Sequence, residues 1–160
     1  ARRAAAFGMA VQAWTRSGRQ VNGIGSVSLS QLLATSDFVS VNVALTSDTR
    51  NLLDAAAIAT MKPGSVLVNT ARGGIVDEVA LAEALASGHL FSAGIDVFSS
   101  EPVRLDNPLL KLPNVVVAPH IGSATVQTRG RMAALAADNM IAAIKGERMP
   151  HCVNPQVYEQ

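Results

Sequence analysis

Short apolar runs alternate with segments of helical periodicity along the whole chain. The apolar runs lie between polar breaks and predict strands at residues 9–14, 38–43, 66–69, 92–97 and 115–118. Between them leucine and alanine recur at helical spacing, capping residues predict helices that begin after Ser28 and Asp77, and an alanine-rich segment predicts a third that begins at Asp54. Strands that alternate with helices at this pitch indicate crossover connections, so we expect an α/β fold with a parallel sheet. The strands are apolar throughout, which is typical of a sheet with helices on both faces.

The last predicted helix begins at Ser123 or Thr125 and ends at Gly146. Its apolar residues repeat at helical spacing and predict a buried face made of Met132, Leu135, Ala136, Met140 and Ile144. We expect the two methionines to be core residues rather than cofactor contacts, because methionine commonly fills gaps in apolar cores.

Composition narrows the class of protein. The 160 residues are 49% hydrophobic and 16% charged, which is typical of one globular domain rather than a disordered chain. A net charge of +1 gives no reason to expect nucleic acid as a partner, and no apolar run reaches the length of about 20 residues that a membrane span needs. Cys152 is the sole cysteine, so we expect a reducing, cytoplasmic location. The histidines lack the spacing of metal ligands, so we expect no metal site.

Three polar residues follow predicted strands, and they are Arg72, Glu101 and His120. Each comes in the polar break after an apolar run. Ligands of open parallel sheets bind beyond the carboxyl ends of the strands. The sequence therefore predicts a reaction centre for an anionic substrate at that edge, built from a cation, a carboxylate and an imidazole.

The chemistry of each side chain indicates its role at such a centre. The guanidinium of Arg72 can hold a carboxylate through two parallel hydrogen bonds. The imidazole of His120 can donate or accept a proton near neutral pH, and the carboxylate of Glu101 can orient that ring and raise its pKa. The alternatives are a surface salt bridge for Arg72, a structural role for His120 and a solvated loop position for Glu101.

Several motifs resemble, in the same order, those of the D-isomer-specific 2-hydroxyacid dehydrogenases. They cover nearly the whole chain and are Ser36–Ser40, Met61–Gly64, Val68–Gly74, Ala93–Phe98, Glu101–Pro102 and Pro113–Thr125. Within that family, the stretch from His120 to Pro150 is most similar to the glyoxylate/hydroxypyruvate reductases. The resemblance implies an oxidoreductase that transfers a hydride between NAD(P)H and a small 2-keto acid or D-2-hydroxy acid.

The resemblance also implies a domain organisation. The family's fold is a Rossmann-like, doubly wound parallel sheet, and its coenzyme domain is inserted into a substrate domain. We expect residues 1–146 to be a partial nicotinamide-dinucleotide-binding domain that lacks its first strand and glycine-rich turn. We expect residues 147–160 to be a C-terminal tail that leads back to the absent substrate domain. The start of the chain, Ala1–Gly8, is typical of the last turns of a helix, so we expect a fragment that is inactive alone.

Particular positions match the family's functional residues. Arg72, Glu101 and His120 match its substrate-binding arginine, its glutamate partner and its catalytic histidine. Asp96 matches an aspartate that contacts the nicotinamide carboxamide, with a structural capping role as the alternative. Ala44 stands where the family commonly has proline, so this loop is expected to be less rigid. The remaining cofactor contacts are expected at Val43, Ala44, Thr70, Ala71, Gly122 and Ser123, with Arg72 and His120 beside them.

The turn after the first predicted strand bears on the choice of cofactor. An acidic residue at the end of the second strand of a dinucleotide-binding domain binds the ribose hydroxyls and selects NAD. Here Thr15 stands in that place and Arg16 follows, so a guanidinium can pair with a 2′-phosphate that no carboxylate repels. Ser17 can add a hydrogen bond. We predict a preference for NADP over NAD, and the alternative is a solvated turn arginine.

The expected partner is a small 2-keto or 2-hydroxy acid, and the sequence leaves its identity open. Members of the family that act on 2-ketogluconate, 3-phosphoglycerate or phosphite are alternatives. A non-catalytic, dinucleotide-sensing module of the corepressor type is another, although the presence of all three catalytic residue types disfavours it. The family dimerises through its coenzyme domain, so we expect a homodimer with contacts from the helix after Ala124 and the segment Leu105–Leu112.

Overall fold

The computed structural model describes residues 1–21 and 23–159, which form an α/β fold with parallel strands. The strands are β1 (Gln12–Ala13), β2 (Gly25–Ser26), β3 (Phe38–Val41), β4 (Val66–Asn69), β5 (Ser92–Ile95) and β6 (Val115–Val117). The α-helices are α1 (Arg2–Ala6), α2 (Leu29–Thr35), α3 (Ala55–Ala59), α4 (Glu78–Ala86) and α5 (Val126–Ile144). Short 3-10 helices lie at Pro108–Lys111 and Pro155–Tyr158.

The strands form two parallel sheets. The larger one has the order β3-β4-β5-β6, with Val39 opposite Leu67 and Leu67 opposite Ala93. The smaller one pairs β1 with β2 alone. The strand predicted at 9–14 is therefore only two residues long, because its ladder with β2 extends over just two residue pairs. All neighbouring strands of the larger sheet pair in parallel, which confirms the predicted α/β class.

Polar caps fix where the helices begin. Ser28 Oγ accepts a hydrogen bond from the Gln31 backbone N–H at 3.2 Å, and Asp54 Oδ1 accepts one from the Ala57 N–H at 2.8 Å. Asp77 Oδ1 accepts two, from the second and third residues of α4. The predicted caps Ser28 and Asp77 are confirmed, and Asp54, predicted as the first residue of its helix, is the cap of that helix. Thr125, rather than Ser123, caps α5. Each cap satisfies N–H groups that have no partner inside the helix, so the helix begins directly after the capping residue.

One face of the larger sheet carries most of the core. Along β3, β4 and β5 buried residues alternate with more exposed ones, and Phe38 is 61% exposed on the less covered face. The apolar sequences of the strands predicted helices on both faces, and they did not predict that one face of the sheet is less buried than the other. It follows from the packing of α2, α3 and α4 with the same buried face. The shared core includes Leu33, Val39, Val41, Ile58, Leu67, Leu81, Leu85, Ala93 and Ile95.

The chain divides into two compact units, Ala1–Pro119 and His120–Gln160. In the second unit the predicted buried face of α5 is exposed, except for the half-buried Leu135. The expectation that its methionines are core residues is wrong, since Met132 is 57% and Met140 is 65% exposed. Hydrophobic periodicity identifies an apolar face but not the surface that covers it. In the part of the chain that the structure describes, no helix is long and apolar enough to span a bilayer.

Candidate active site

Arg72 lies in the loop that follows β4, and the buried side chain of Asn69 holds this loop. Asn69 Oδ1 accepts a hydrogen bond from the Ala71 backbone N–H at 3.1 Å, and Asn69 Nδ2 donates one to the Arg72 carbonyl at 3.1 Å. Since Asn69 is only 2% exposed, both bonds are shielded from water. The Arg72 side chain is exposed, and its Nη1 donates to the Ala71 carbonyl at 2.7 Å. The guanidinium therefore projects from a turn whose backbone is fixed to the strand.

Gly73 brings the loop after β4 into backbone contact with the loop after β5. A Cβ at this position would lie 1.8 Å from the Phe98 carbonyl oxygen and 2.5 Å from the Ser99 nitrogen. No side chain fits such a gap, so glycine is required here for close approach rather than for its backbone angles. This contact joins the loop of Arg72 to the loop that leads to Glu101.

Glu101 lies at the end of a loop that is held from two sides. Its own Oε1 accepts a hydrogen bond from the Phe98 N–H at 3.1 Å. Glu78, the first residue of α4, accepts one from the Ser99 N–H at 2.6 Å through Oε1, and one from Asn107 Nδ2 at 2.6 Å through Oε2. The half-buried Glu78 carboxylate thus ties the Glu101 loop to the helix that follows Arg72.

Asp96 and its neighbours complete this edge of the sheet. Asp96 directly follows β5, is only 5% exposed, and donates its backbone N–H to the Asn69 carbonyl at 3.0 Å. Ala71 is half-buried and Thr70 is exposed on the neighbouring loop. A buried carboxylate is costly without polar partners, so its place at the carboxyl edge fits either a ligand contact or a structural role. The nicotinamide role of Asp96 stays a prediction.

The loop after β3 is held in spite of its missing proline. Thr49 is 1% exposed, and its hydroxyl donates to the Ala44 carbonyl at 2.6 Å and accepts from the Thr46 N–H at 2.8 Å. The two hydrogen bonds of this buried hydroxyl restrict the backbone of the loop, as a proline would do through its fixed φ. Val43 is half-buried and Ala44 is exposed at the carboxyl end of the strand. Both predicted cofactor contacts lie at the same edge as Arg72.

Arg16 has an acidic partner that the sequence did not indicate. Its Nη1 lies 2.7 Å from Asp48 Oδ2, and the two side chains are 55% and 63% exposed. Thr15, in the same turn, donates its hydroxyl to the Arg19 carbonyl at 2.8 Å, and Ser17 is exposed. The preference for NADP rests on the missing acidic residue at Thr15 and stays a prediction, but Asp48 brings a different carboxylate beside Arg16.

His120, Gly122 and Ser123 belong to the second unit, and all three are exposed. His120 comes three residues after the end of β6 and has a φ of 54°. A residue other than glycine rarely adopts this left-handed conformation, and such residues are frequent at functional sites. The structure thus joins the loops of Arg72 and Glu101 within the first unit. The prediction that His120 acts with them stays a prediction.

An exposed ion pair lies beside the Glu101 loop. Arg104 Nε and Nη2 donate to the Asp106 carboxylate at 3.0 and 2.9 Å. These hydrogen bonds lower the pKa of Asp106 and raise the pKa of Arg104. Both groups therefore remain charged at neutral pH. Over residues 1–21 and 23–159, no three His, Cys, Asp or Glu side chains gather as a metal site requires.

Sequence reasoning missed Asn69, Glu78 and Asp48. A partial signal for Asn69 was present in the sequence. Asparagine is rare in strands, and here it is the last residue of the buried strand β4. Glu78 stands directly after a helix cap, where an acidic residue is common for its effect on the helix dipole alone. Asp48 gave no signal, because its partner is 32 residues away.

Comparisons with known proteins agree with this geometry. Residues 1–122 match the model of a family described as D-isomer specific 2-hydroxyacid dehydrogenase, NAD binding domain. A glyoxylate/hydroxypyruvate reductase B from Pectobacterium carotovorum is 54% identical over 129 residues, which cover 81% of this chain and 40% of that protein. The chain thus spans about two fifths of the length of the curated relatives it matches. The predicted domain bounds at 146 and 147 stay a prediction.

Solved structures show the same fold. A Thermus thermophilus protein superposes with a TM-score of 0.89 at 45% identity, over 95% of this chain and 48% of that one. An NADPH-dependent glyoxylate/hydroxypyruvate reductase from Sinorhizobium meliloti, solved with NADP and malonate, has a TM-score of 0.87 at 35% identity, over 96% and 48% of the two chains. The predicted Rossmann-like fold is therefore confirmed.

Proposed function

This chain belongs to the D-isomer-specific 2-hydroxyacid dehydrogenase family, whose NAD-binding domain it matches. We propose that it is part of an enzyme that reduces small 2-keto acids. The complete enzyme would transfer a hydride between NAD(P)H and a 2-keto acid, with glyoxylate and hydroxypyruvate as the substrates suggested by the names of the relatives. One observation carries the proposal. The backbone contact at Gly73 joins the loops that bear Arg72 and Glu101 at the carboxyl edge of a parallel sheet.

In this proposal a dinucleotide would lie across the carboxyl ends of the strands. Asp96 offers a buried carboxylate for a nicotinamide amide, and the loop held by Thr49 offers an apolar surface. Arg16 and Ser17 would meet the adenosine ribose. The other contacts would come from Val43, Ala44, Thr70, Ala71, Arg72, His120, Gly122 and Ser123.

Three side chains would carry the chemistry. When bound, the reduced nicotinamide supplies the hydride that adds to the carbonyl carbon. Arg72 holds the carboxylate of the acid in a bidentate pair, which fixes the orientation of that carbon. His120 would give its proton to the carbonyl oxygen, so the carbonyl group becomes a hydroxyl. Glu101 would orient the imidazole for this proton transfer.

The proposal extends to assembly and location. The exposed face of α5, with Met140 at 65% and Ile144 at 79% exposure, supports a homodimer in which this face is covered by the second copy. The single cysteine of the chain supports a cytoplasmic location.

The test uses a full-length protein that carries this chain, with glyoxylate and hydroxypyruvate as substrates and NADPH or NADH as reductant. We expect turnover, and we expect Arg72→Ala to lower kcat/KM by about 100-fold or more, because a charged bidentate contact is lost. Arg104→Ala removes an exposed arginine of the same unit and should leave kcat/KM within about twofold. Dinucleotide binding without turnover would instead indicate a non-catalytic sensor. Equal effects of the two substitutions would contradict the role of Arg72.

A further inference from the structure

The pair of Arg16 and Asp48 joins a turn and a loop that follow two strands. Arg16 comes three residues after β1 of the smaller sheet, and Asp48 lies in the loop that follows β3 of the larger sheet. Their side chains meet at 2.7 Å across 32 residues of sequence. Ser47 Oγ donates to the other oxygen of Asp48 at 3.3 Å. A carboxylate thus lies beside Arg16, which is one of two arginines, with Arg19, in the polar turn after β1.

The pair is not a structural brace. Its side chains are 55% and 63% exposed, and ion pairs between such exposed groups contribute little to stability because water and salt screen them. The buried hydroxyl of Thr49, not Asp48, holds the loop after β3. The pair can therefore open when a ligand competes for either partner.

We propose that Asp48 is a specificity-determining residue that reduces the selection of NADPH over NADH. This inference rests on the proposed function as a dinucleotide-binding domain. A 2′-phosphate must compete with Asp48 for the guanidinium of Arg16, and it is repelled by the carboxylate that it displaces. A ribose 2′-hydroxyl is neutral and can donate a hydrogen bond to the same carboxylate. Arg16 thus favours one cofactor and Asp48 the other, so the site accepts both.

The test measures nucleotide binding rather than turnover. Calorimetry on the full-length protein gives the dissociation constants of adenosine 2′,5′-bisphosphate and of 5′-AMP, which differ only in the 2′-phosphate. We expect Asp48→Asn to tighten binding of the bisphosphate by about two- to fivefold, the range of exposed charge pairs. Binding of 5′-AMP should stay equal or weaken. The gain should shrink at high ionic strength, and it should be smaller when Arg16→Gln is already present, because only the direct repulsion between carboxylate and phosphate then remains.

A matched control lies at the opposite end of the same strand. Asp37 precedes β3 and pairs with Lys62 at 2.6 Å, with side chains that are 71% and 46% exposed. Asp37→Asn makes the same change in net charge and should leave both dissociation constants unchanged.

The outcomes separate the two proposals. If the unsubstituted protein binds neither nucleotide, the proposed function fails and the role of Asp48 fails with it. If both nucleotides bind but Asp48→Asn leaves their ratio unchanged, only the role of Asp48 is overturned. An equal gain with Asp37→Asn would also overturn it, because the effect would then come from net charge alone.

Discussion

Two groups of loops that follow strands of this fold are held in different ways. The loops after β4 and β5, which we call the braced edge (Asn69–Gly73 and Phe98–Glu101), are fixed by a buried amide, a glycine contact and the carboxylate of Glu78. The turn after β1 and the loop tip after β3, which we call the paired edge (Thr15–Ser17 and Thr46–Asp48), are joined by one exposed ion pair. Both edges carry an arginine that is proposed to bind an anion.

The two arginines have different proposed ligands, and this explains why the backbone is fixed at one and not at the other. Arg72 would hold the reacting acid, where a small displacement from the productive geometry costs rate, so a fixed backbone is an advantage. Arg16 would contact the adenosine ribose, far from the reacting carbon. A side chain that can change its position there allows either NAD or NADP to bind. Breaking the braced edge leaves buried polar groups unsatisfied at about 1–3 kcal/mol each. Breaking an exposed pair costs about 1 kcal/mol or less.

The largest effect is expected from Gly73→Ala. The added Cβ overlaps the Phe98 carbonyl, so the two loops of the braced edge must separate. We expect a loss of about 3 kcal/mol in the free energy of unfolding, at the upper end of overpacking costs, together with loss of turnover. Urea denaturation of the full-length protein measures the first and a reductase assay the second.

Gly130→Ala is the matched control for that substitution. Gly130 lies within α5, has an ordinary φ, and nothing lies within 4 Å of the Cβ it would gain. Alanine there should be neutral or stabilise the protein by up to about 1 kcal/mol, since alanine is the better helix former. Equal losses from both substitutions would show that the braced edge does not depend on the close approach at Gly73.

A smaller effect is expected from Glu78→Gln. Glutamine keeps the shape of the side chain, but its amide nitrogen must then face one of the donors that Glu78 accepts, Ser99 N–H or Asn107 Nδ2. We expect stability to fall by about 1–2 kcal/mol and kcat to fall by about threefold to tenfold, because the loop that positions Glu101 loosens. Glu83→Gln, on the exposed side of the same helix, should change neither quantity. An unchanged kcat in Glu78→Gln would remove Glu78 from the bracing of the loop.

The smallest effect on stability belongs to the paired edge. Asp48→Asn should shift nucleotide selectivity as described above while changing the free energy of unfolding by less than about 1 kcal/mol. A larger loss would mean that the ion pair holds the fold, and the contrast between the two edges would disappear.

Much of the braced edge could be predicted from the sequence. Apolar runs located β4 with its exact bounds, Asp77 was identified as a helix cap, and the polar breaks placed Arg72 and Glu101 at strand ends. These features depend on neighbours along the chain, where periodicity and capping chemistry act.

The partners of those residues could not be predicted. Glu78 meets Ser99 across 21 residues and Arg16 meets Asp48 across 32, and such contacts depend on how strands are ordered in space. The exposure of Met132 was missed for a related reason, because a helical repeat does not reveal whether another surface covers it.

The central claim is that Arg72, Glu101 and His120 act together on a 2-keto acid. The most direct test is the pH dependence of kcat/KM for hydroxypyruvate reduction by the full-length protein, compared with that of Glu101→Gln. The account predicts that the apparent pKa of the proton-donating group falls in the variant, so that the rate declines at a lower pH. An unchanged pH profile with an unchanged rate would contradict it.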